Sequence, residues 1–184
     1  MAAFDDDPVF RFLWPGDALR RRTLSSIMHH QAVIASQMAS GHAAVDSSDR
    51  LLGAALWVEP GARKNLRQNM REAVSSWPAV LRPSSLVPSA RIFLMVERLR
   101  PTDLHWFLNV IGVDPASQGR GAGAALLELG LAAADDAGLV SWLETGKEDN
   151  LAWYERFGFE LEDEIHPVAA APRSFTMRRQ PRST

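Results

Sequence analysis

The segment that most limits the fold is an apolar run, a glycine-rich loop and an alanine-rich stretch in direct succession. Residues 105–113, HWFLNVIGV, are rich in β-branched and aromatic side chains and long enough for a central strand. Asp114-Pro115-Ala116-Ser117 reads as a turn. Gln118-Gly119-Arg120-Gly121-Ala122-Gly123 follows and leads into AALLELGLAAADDAG, an Ala- and Leu-rich stretch that predicts a helix stopping at Gly138. Residues 139–145 read as a second strand. This order predicts an α/β unit with the helix packed across a sheet. Glycines at 119, 121 and 123 leave backbone N–H groups bare at the helix N-terminus. Together with the helix dipole, those groups make an anion site suited to a pyrophosphate, and Arg120 is placed to add a charge.

The chain of 184 residues has the size of one domain, and the remainder fits around that unit. Residues 17–39 lack Pro and Gly and carry Leu24, Ile27, Met28, Gln31 and Ile34 at helical spacing. His42–Asp46 and Leu51–Val58 read as a hairpin across Ser47-Ser48-Asp49-Arg50, ended by Glu59-Pro60-Gly61. A helical pattern returns over 62–77 through Leu66, Met70 and Val74, and another helix is expected from Ser85 to Leu99. Arg20, Arg21 and Arg22, like Arg178, Arg179 and Arg182, read as solvated charge. His29 and His30 are adjacent, so on a helix they diverge by about 100° and do not suit one metal ion; no metal site is expected. Asp5, Asp6 and Asp7 stand where a secretory signal would carry basic residues, so a cytoplasmic protein is expected. A net charge of −2 offers nucleic acid no general attraction, and no apolar run is long enough for a membrane span. The absence of cysteine excludes disulfides, thiolate metal sites and an acyl-cysteine intermediate.

The glycine loop admits two cofactors. GRGAGA fits the loose dinucleotide fingerprint through Gly119, Gly121 and Ala124, with Glu144 where a ribose-binding acid would stand. Against this, Asp114–Gln118 separate strand from glycines, and about 40 residues remain after Glu144, too few for a second nucleotide-binding half. The other reading rests on a resemblance. QGRGAG is similar to the Q/R-x-x-G-x-G/A signature of the GNAT N-acetyltransferases, whose loop grips the pyrophosphate of acetyl-CoA. Asn150, Tyr154 and Gly158-Phe159 match that family's next element. Three strings, WFLNVIGVDPASQGRGAG, WLETGKEDNLAWYERFGFE and RSFTMRR, resemble the puromycin N-acetyltransferase-like subgroup.

The resemblance implies a GNAT fold of the α/β (α+β) class, a mixed central sheet flanked by helices, in one domain over 1–184. Residues 17–104 would form the acceptor side, 105–160 the acetyl-CoA-binding core and 161–184 the C-terminal strands. Acetyl-CoA is the implied cosubstrate, and a small-molecule amine, metabolite or antibiotic-like, the implied acceptor. A protein N-terminus or lysine is the alternative acceptor, and a CoA-binding regulatory module without catalysis the alternative class. A monomer or homodimer fits either. Family members open with a strand and a helix before a segment resembling AFDDDPVFRFLWPG, which here starts at residue 3. The resemblance therefore implies that the usual first strand is missing, unless translation starts upstream or a partner supplies it, and a missing edge favours dimerisation.

Acetyl transfer requires a base for the amine, donors for the developing oxyanion and a proton for the departing thiolate. Without cysteine, direct attack is expected. Tyr154, the only tyrosine, falls on the family's general-acid position. Glu144 closes the second strand, where a carboxylate would take the amine's proton or bind its ammonium form. The backbone of Ile111, Gly112 and Val113 is expected to meet the thioester and pantetheine arm. Gln118, Gly119, Arg120, Gly121, Ala122, Gly123 and Ala124 are expected around the pyrophosphate. Asn150 is expected to cap the Tyr154 helix, to touch cofactor, or both. The aromatic residues Trp14, Trp57, Trp77 and Trp106 are the notable feature of the acceptor half.

Overall fold

The structure, a computed structural model, describes residues 2–38, 41–62, 83–166 and 171–182. Helices α1 (Pro8–Leu13) and α2 (Asp17–Met38) precede the hairpin of β1 (Gly41–Val45) and β2 (Leu51–Val58). Then come α3 (Pro83–Leu99), β3 (His105–Val113), α4 (Ala122–Asp136), β4 (Val140–Thr145), α5 (Leu151–Glu155), β5 (Glu160–Ile165) and β6 (Ser174–Arg179). The strands form one six-stranded sheet in the order β1-β2-β3-β4-β6-β5. Among the described residues only β3 and β4 run parallel; the other pairings are antiparallel. This is the mixed sheet flanked by helices that the sequence predicts, with the 105–113 strand inside it. The helical pattern over 62–77 lies outside the described residues, apart from Ala62. No described helix is long and apolar enough to cross a membrane.

Helix α4 lays Leu126, Leu127 and Leu131 against Ala55, Trp57, Leu108, Leu143 and Met177 on one face of the sheet. On the other face, Val9, Leu13, Trp14 and Leu24 join α1 to α2. Trp14 and Trp57 are therefore buried at 4% and 2% exposure, and Trp106 packs edge-on to Trp57. These indoles build core, and Trp77 lies outside the described residues. Gly130 lets α4 approach closely: a Cβ there would sit 2.1 Å from Cε2 of Trp57.

Two arginines depart from the expected solvated faces. Arg20, 5% exposed, donates through Nη1 to the Trp14 carbonyl (3.2 Å) and through Nη2 to Asp17 (2.6 Å), locking the entry into α2. Arg179, 3% exposed, grips both carboxylate oxygens of Asp135 (2.7 and 2.8 Å) and the Phe157 carbonyl through Nε (2.9 Å). A strand pattern cannot show the Arg179 pairing, because Asp135 lies 44 residues away in sequence. Asp135 also accepts from the Arg182 amide, and the Arg179 hydrogen bond holds its carboxyl below the usual carboxylate range. Its contribution is thus present above the ordinary carboxylate pKa and lost as pH falls through the lowered one. Asp135→Ala leaves Arg179 buried without its counter-charge, and the expected loss is about 2 kcal/mol, read as a lower urea midpoint at neutral pH.

The sheet opens at its centre. Trp57 pairs with Leu108 but Leu56 pairs with Val110, so Asn109 is an extra residue in β3. Such a bulge flips the alternation and turns the strand. Parallel pairing of β3 with β4 runs from His105 and Val140 to Leu108 and Leu143 and stops there. Beyond the bulge the two strands form a fork.

Candidate active site

Every predicted site residue lies around this fork. On one side, Ile111, Gly112 and Val113 pair with Ala55, Ala54 and Gly53 of β2, while their edge toward β4 has no ladder partner. On the other side, Glu144 and Thr145 end β4 and pair with Thr176 and Phe175 of β6.

The glycine loop lies above the fork. Asp114 caps a short 3-10 turn, Pro115–Ser117, by accepting from the Ala116 amide (2.9 Å). Arg50 from the hairpin donates to the Ser117 hydroxyl (3.3 Å), and Gln118 donates to the Val113 carbonyl (3.3 Å). The chain then turns through Gly119 at φ +74° and Gly121 at φ +85°, a conformation that a side chain would strain. Gly121 occupies the N-cap position of α4 without a capping side chain, and the first helical bond is donated by Ala125. The N–H groups of Ala122, Gly123 and Ala124 thus remain free at the positive end of a fifteen-residue helix. Arg120 is exposed beside them. The residues present fit an anionic pyrophosphate.

Tyr154 reaches the fork from α5. Its ring is 5% exposed and packs edge-on to Trp153 (4.9 Å) and Phe159 (5.7 Å), and Trp153 in turn meets Gly123 at the head of α4. The hydroxyl makes no hydrogen bond to a described residue. Burial, and then the nearby charge of Glu144, push the phenol above its ordinary pKa. Burial likewise pushes the Glu144 carboxyl up to about 7, the Ser174 hydroxyl draws it down and Asp7 raises it further. Ser174 Oγ nonetheless makes no hydrogen bond of regular geometry, so burial prevails. Asn150 stands at the N-cap position of α5 but makes no capping bond with its side chain, which instead donates to the Thr145 hydroxyl (3.1 Å) and ties the approach to α5 onto the end of β4.

The chain's first residues also belong to this site, which sequence reasoning missed. Asp7 caps α1 by accepting from Val9 and Phe10 (2.9 and 3.1 Å), a role readable from Asp before Pro. Its position beside the fork was not readable. Phe4 covers Gly112, where a Cβ would meet its ring at 3.0 Å, and Val9 and Asp7 cover Gly146. Asp6 pairs with Lys147. A cleft of about 410 Å³ opens beside them, between Asp6, Gly146, Asn150, Arg173 and Phe175.

Residues 90–161 match the family model of the acetyltransferase (GNAT) domain. That segment is thus similar to the GNAT acetyltransferase domain, and the six-stranded sheet has the GNAT fold. It is similar to a solved Corynebacterium glutamicum structure described as histone acetyltransferase HPA2 and related acetyltransferase. That match has 23% identity and a TM-score of 0.67, over 100% of this chain and 87% of that one. Arylalkylamine N-acetyltransferase 2 from Aedes aegypti aligns at 15% identity and TM-score 0.57, over 97% and 89%. Chaetomium thermophilum Naa20, solved with a bisubstrate analogue, aligns at 16% identity and TM-score 0.50, over 78% and 66%. Acetyltransferases of small amines and of proteins thus share this fold.

Proposed function

We propose that this chain transfers the acetyl group of acetyl-CoA directly to the amine of a small molecule, as the puromycin-type resemblance suggests. One observation carries the reading: an uncapped, glycine-lined helix N-terminus stands over a forked pair of strands that holds a buried tyrosine and a half-buried glutamate. Acetyl-CoA supplies an acetyl group activated as a thioester. Gln118–Ala124 hold its pyrophosphate through the free amides of α4, and Arg120 adds a positive charge. The free edge of Ile111–Val113 orients the pantetheine arm and donates to the carbonyl oxygen.

Glu144 takes a proton from the amine, and Tyr154 delivers one to the departing sulfur. Both buried environments suit these tasks. A carboxyl with pKa about 7 is a stronger base than an ordinary glutamate and is half ionised at neutral pH. A phenol raised above about 10 keeps its proton throughout the working range.

The test is thermal stabilisation by acetyl-CoA followed by CoA release with an amine panel. Acetyl-CoA at 100 times its Kd should add about 2.7 kcal/mol of stability. Turnover should rise with pH through a limb near 7, as Glu144 loses its proton, and Glu144→Gln should abolish that limb. The same raised pKa makes Glu144 stabilising below about 4.5 and progressively less so toward pH 7. No stabilisation by acetyl-CoA, with stabilisation by NAD, would replace this reading by the dinucleotide one. Stabilisation without turnover of any amine or peptide would leave a CoA-binding module.

A further inference from the structure

We propose that residues 3–9 form the acceptor-side wall of the fork, and that Asp7 is a second carboxylate which, with Glu144, receives the acceptor as an ammonium ion. This rests on the acetyl-transfer reading above and narrows its substrate class to amines that are protonated at neutral pH.

The placement follows from the strand register. Glu144 is the last residue of β4 on its face, and Gly146 follows two positions on, just past the end of the strand. The face is the one opposite α4, because Leu143 packs into the α4 core. Val9 lies 2.7 Å and Asp7 Oδ1 3.5 Å from where a Gly146 Cβ would stand. Across the fork, Phe4 lies on Gly112. Residues 3–9 therefore bridge the two arms of the fork on the side away from α4 and the glycine loop. Acetyl-CoA enters from the glycine loop, and this wall is where the other substrate must meet it.

The wall's chemistry suits a cation. Asp7 and Glu144 repel each other, and burial pushes both carboxyls above their ordinary range. Lys147, the cation that acts on Asp7, is bound to Asp6. The same face of β6 presents Ser174 and Thr176, 1% and 0% exposed; the Ser174 hydroxyl acts on Glu144, and the Thr176 hydroxyl has no hydrogen-bond partner. Thr176 stands directly opposite Glu144 in the ladder. Two half-buried carboxylates and the unpaired Thr176 hydroxyl offer three acceptors to an ammonium group, a charge with three donors.

The protons balance. The amine nitrogen loses two as its C–N bond forms and the C–S bond breaks. One leaves through Glu144 to solvent, and the other restores the proton that Tyr154 gives to sulfur. Asp7 holds the positive charge until Glu144 takes the first proton; the neutral amine then attacks, and the second proton leaves as the C–N bond forms.

Asp7→Asn tests this cleanly, because asparagine keeps the cap on α1 and removes only the charge. CoA release is measured at pH 7.5 with saturating acetyl-CoA. The acceptors are phenethylamine, putrescine and agmatine, which are ammonium ions there, and aniline and anisidine, which are neutral. The expected result is that wild type uses one or more of the cationic amines. Asp7→Asn should then raise that amine's KM about tenfold or more, with kcat within about threefold and acetyl-CoA stabilisation unchanged. An unchanged KM overturns the proposal. So does turnover of neutral amines alone, or of no panel amine by protein that acetyl-CoA stabilises. Absence of stabilisation by acetyl-CoA in wild type removes the acetyl-transfer reading itself, and this proposal with it.

Discussion

Replacing Tyr154 by phenylalanine is expected to lower turnover with the best amine by roughly a hundredfold to ten-thousandfold, the range for losing a positioned proton donor. The phenylalanine ring keeps the packing on Trp153 and Phe159, and the lost hydroxyl has no hydrogen bond to a described residue. Stability and acetyl-CoA binding should therefore stay near wild type, which separates chemistry from folding. The acid limb near pH 7 should persist in what activity remains, since it belongs to Glu144. Unchanged turnover would make Tyr154 a core ring and nothing more. In that case sulfur leaves as a thiolate solvated by water, and the position of the phenol beside Glu144 has no catalytic meaning.

The largest loss of stability should come from a single added methyl at Gly130. Alanine favours a helix interior over glycine by about 1 kcal/mol, so an isolated helix would gain from the change. Here the new Cβ would stand 2.1 Å from both Cε2 and Nε1 of Trp57. The indole is 2% exposed and cannot swing away without opening the core between α4 and the sheet. A net loss of roughly 3 kcal/mol is expected, at the upper end for overpacking, and a urea or thermal melt reads it. Trp57→Phe in the same chain should recover part of the loss, because the smaller ring vacates the contact and the indole N–H has no partner to lose. If Gly130→Ala melts at or above wild type, α4 does not lie as close to β2 as the structure places it.

What could be read from the chain divides along a physical line. The elements from 105 to 160 were legible because their signals are local. An apolar β-branched run, positive-φ glycines and an Ala-rich helix each state a backbone preference within a few residues, and the motifs sit at fixed offsets on them. A strand, helix and strand in succession suit a parallel pair, and the mixed sheet around it was implied by the family resemblance. The roles expected of Tyr154 and Glu144 also came from such offsets. Arg20 and Arg179 were misread because charge patterning reports only the residue's own preference, while their burial depends on Trp14, Asp17 and Asp135 meeting them in space.

The sequence by itself determined that an anion-binding loop would lead a helix, that a strand would feed it, and that any direct acyl transfer must proceed without cysteine. Only the tertiary structure decided how the site closes. The bulge at Asn109 parts β3 from β4, Asn150 reaches Thr145 instead of capping its helix, and Asp7 comes to lie over Gly146, 139 positions later in the chain. Each depends on register or on long-range packing, and neither is encoded in a window of neighbouring residues. The ionisation of Glu144 belongs with them, because a carboxylate's pKa is set by what surrounds it, and those surroundings come from β6 and the N-terminal segment.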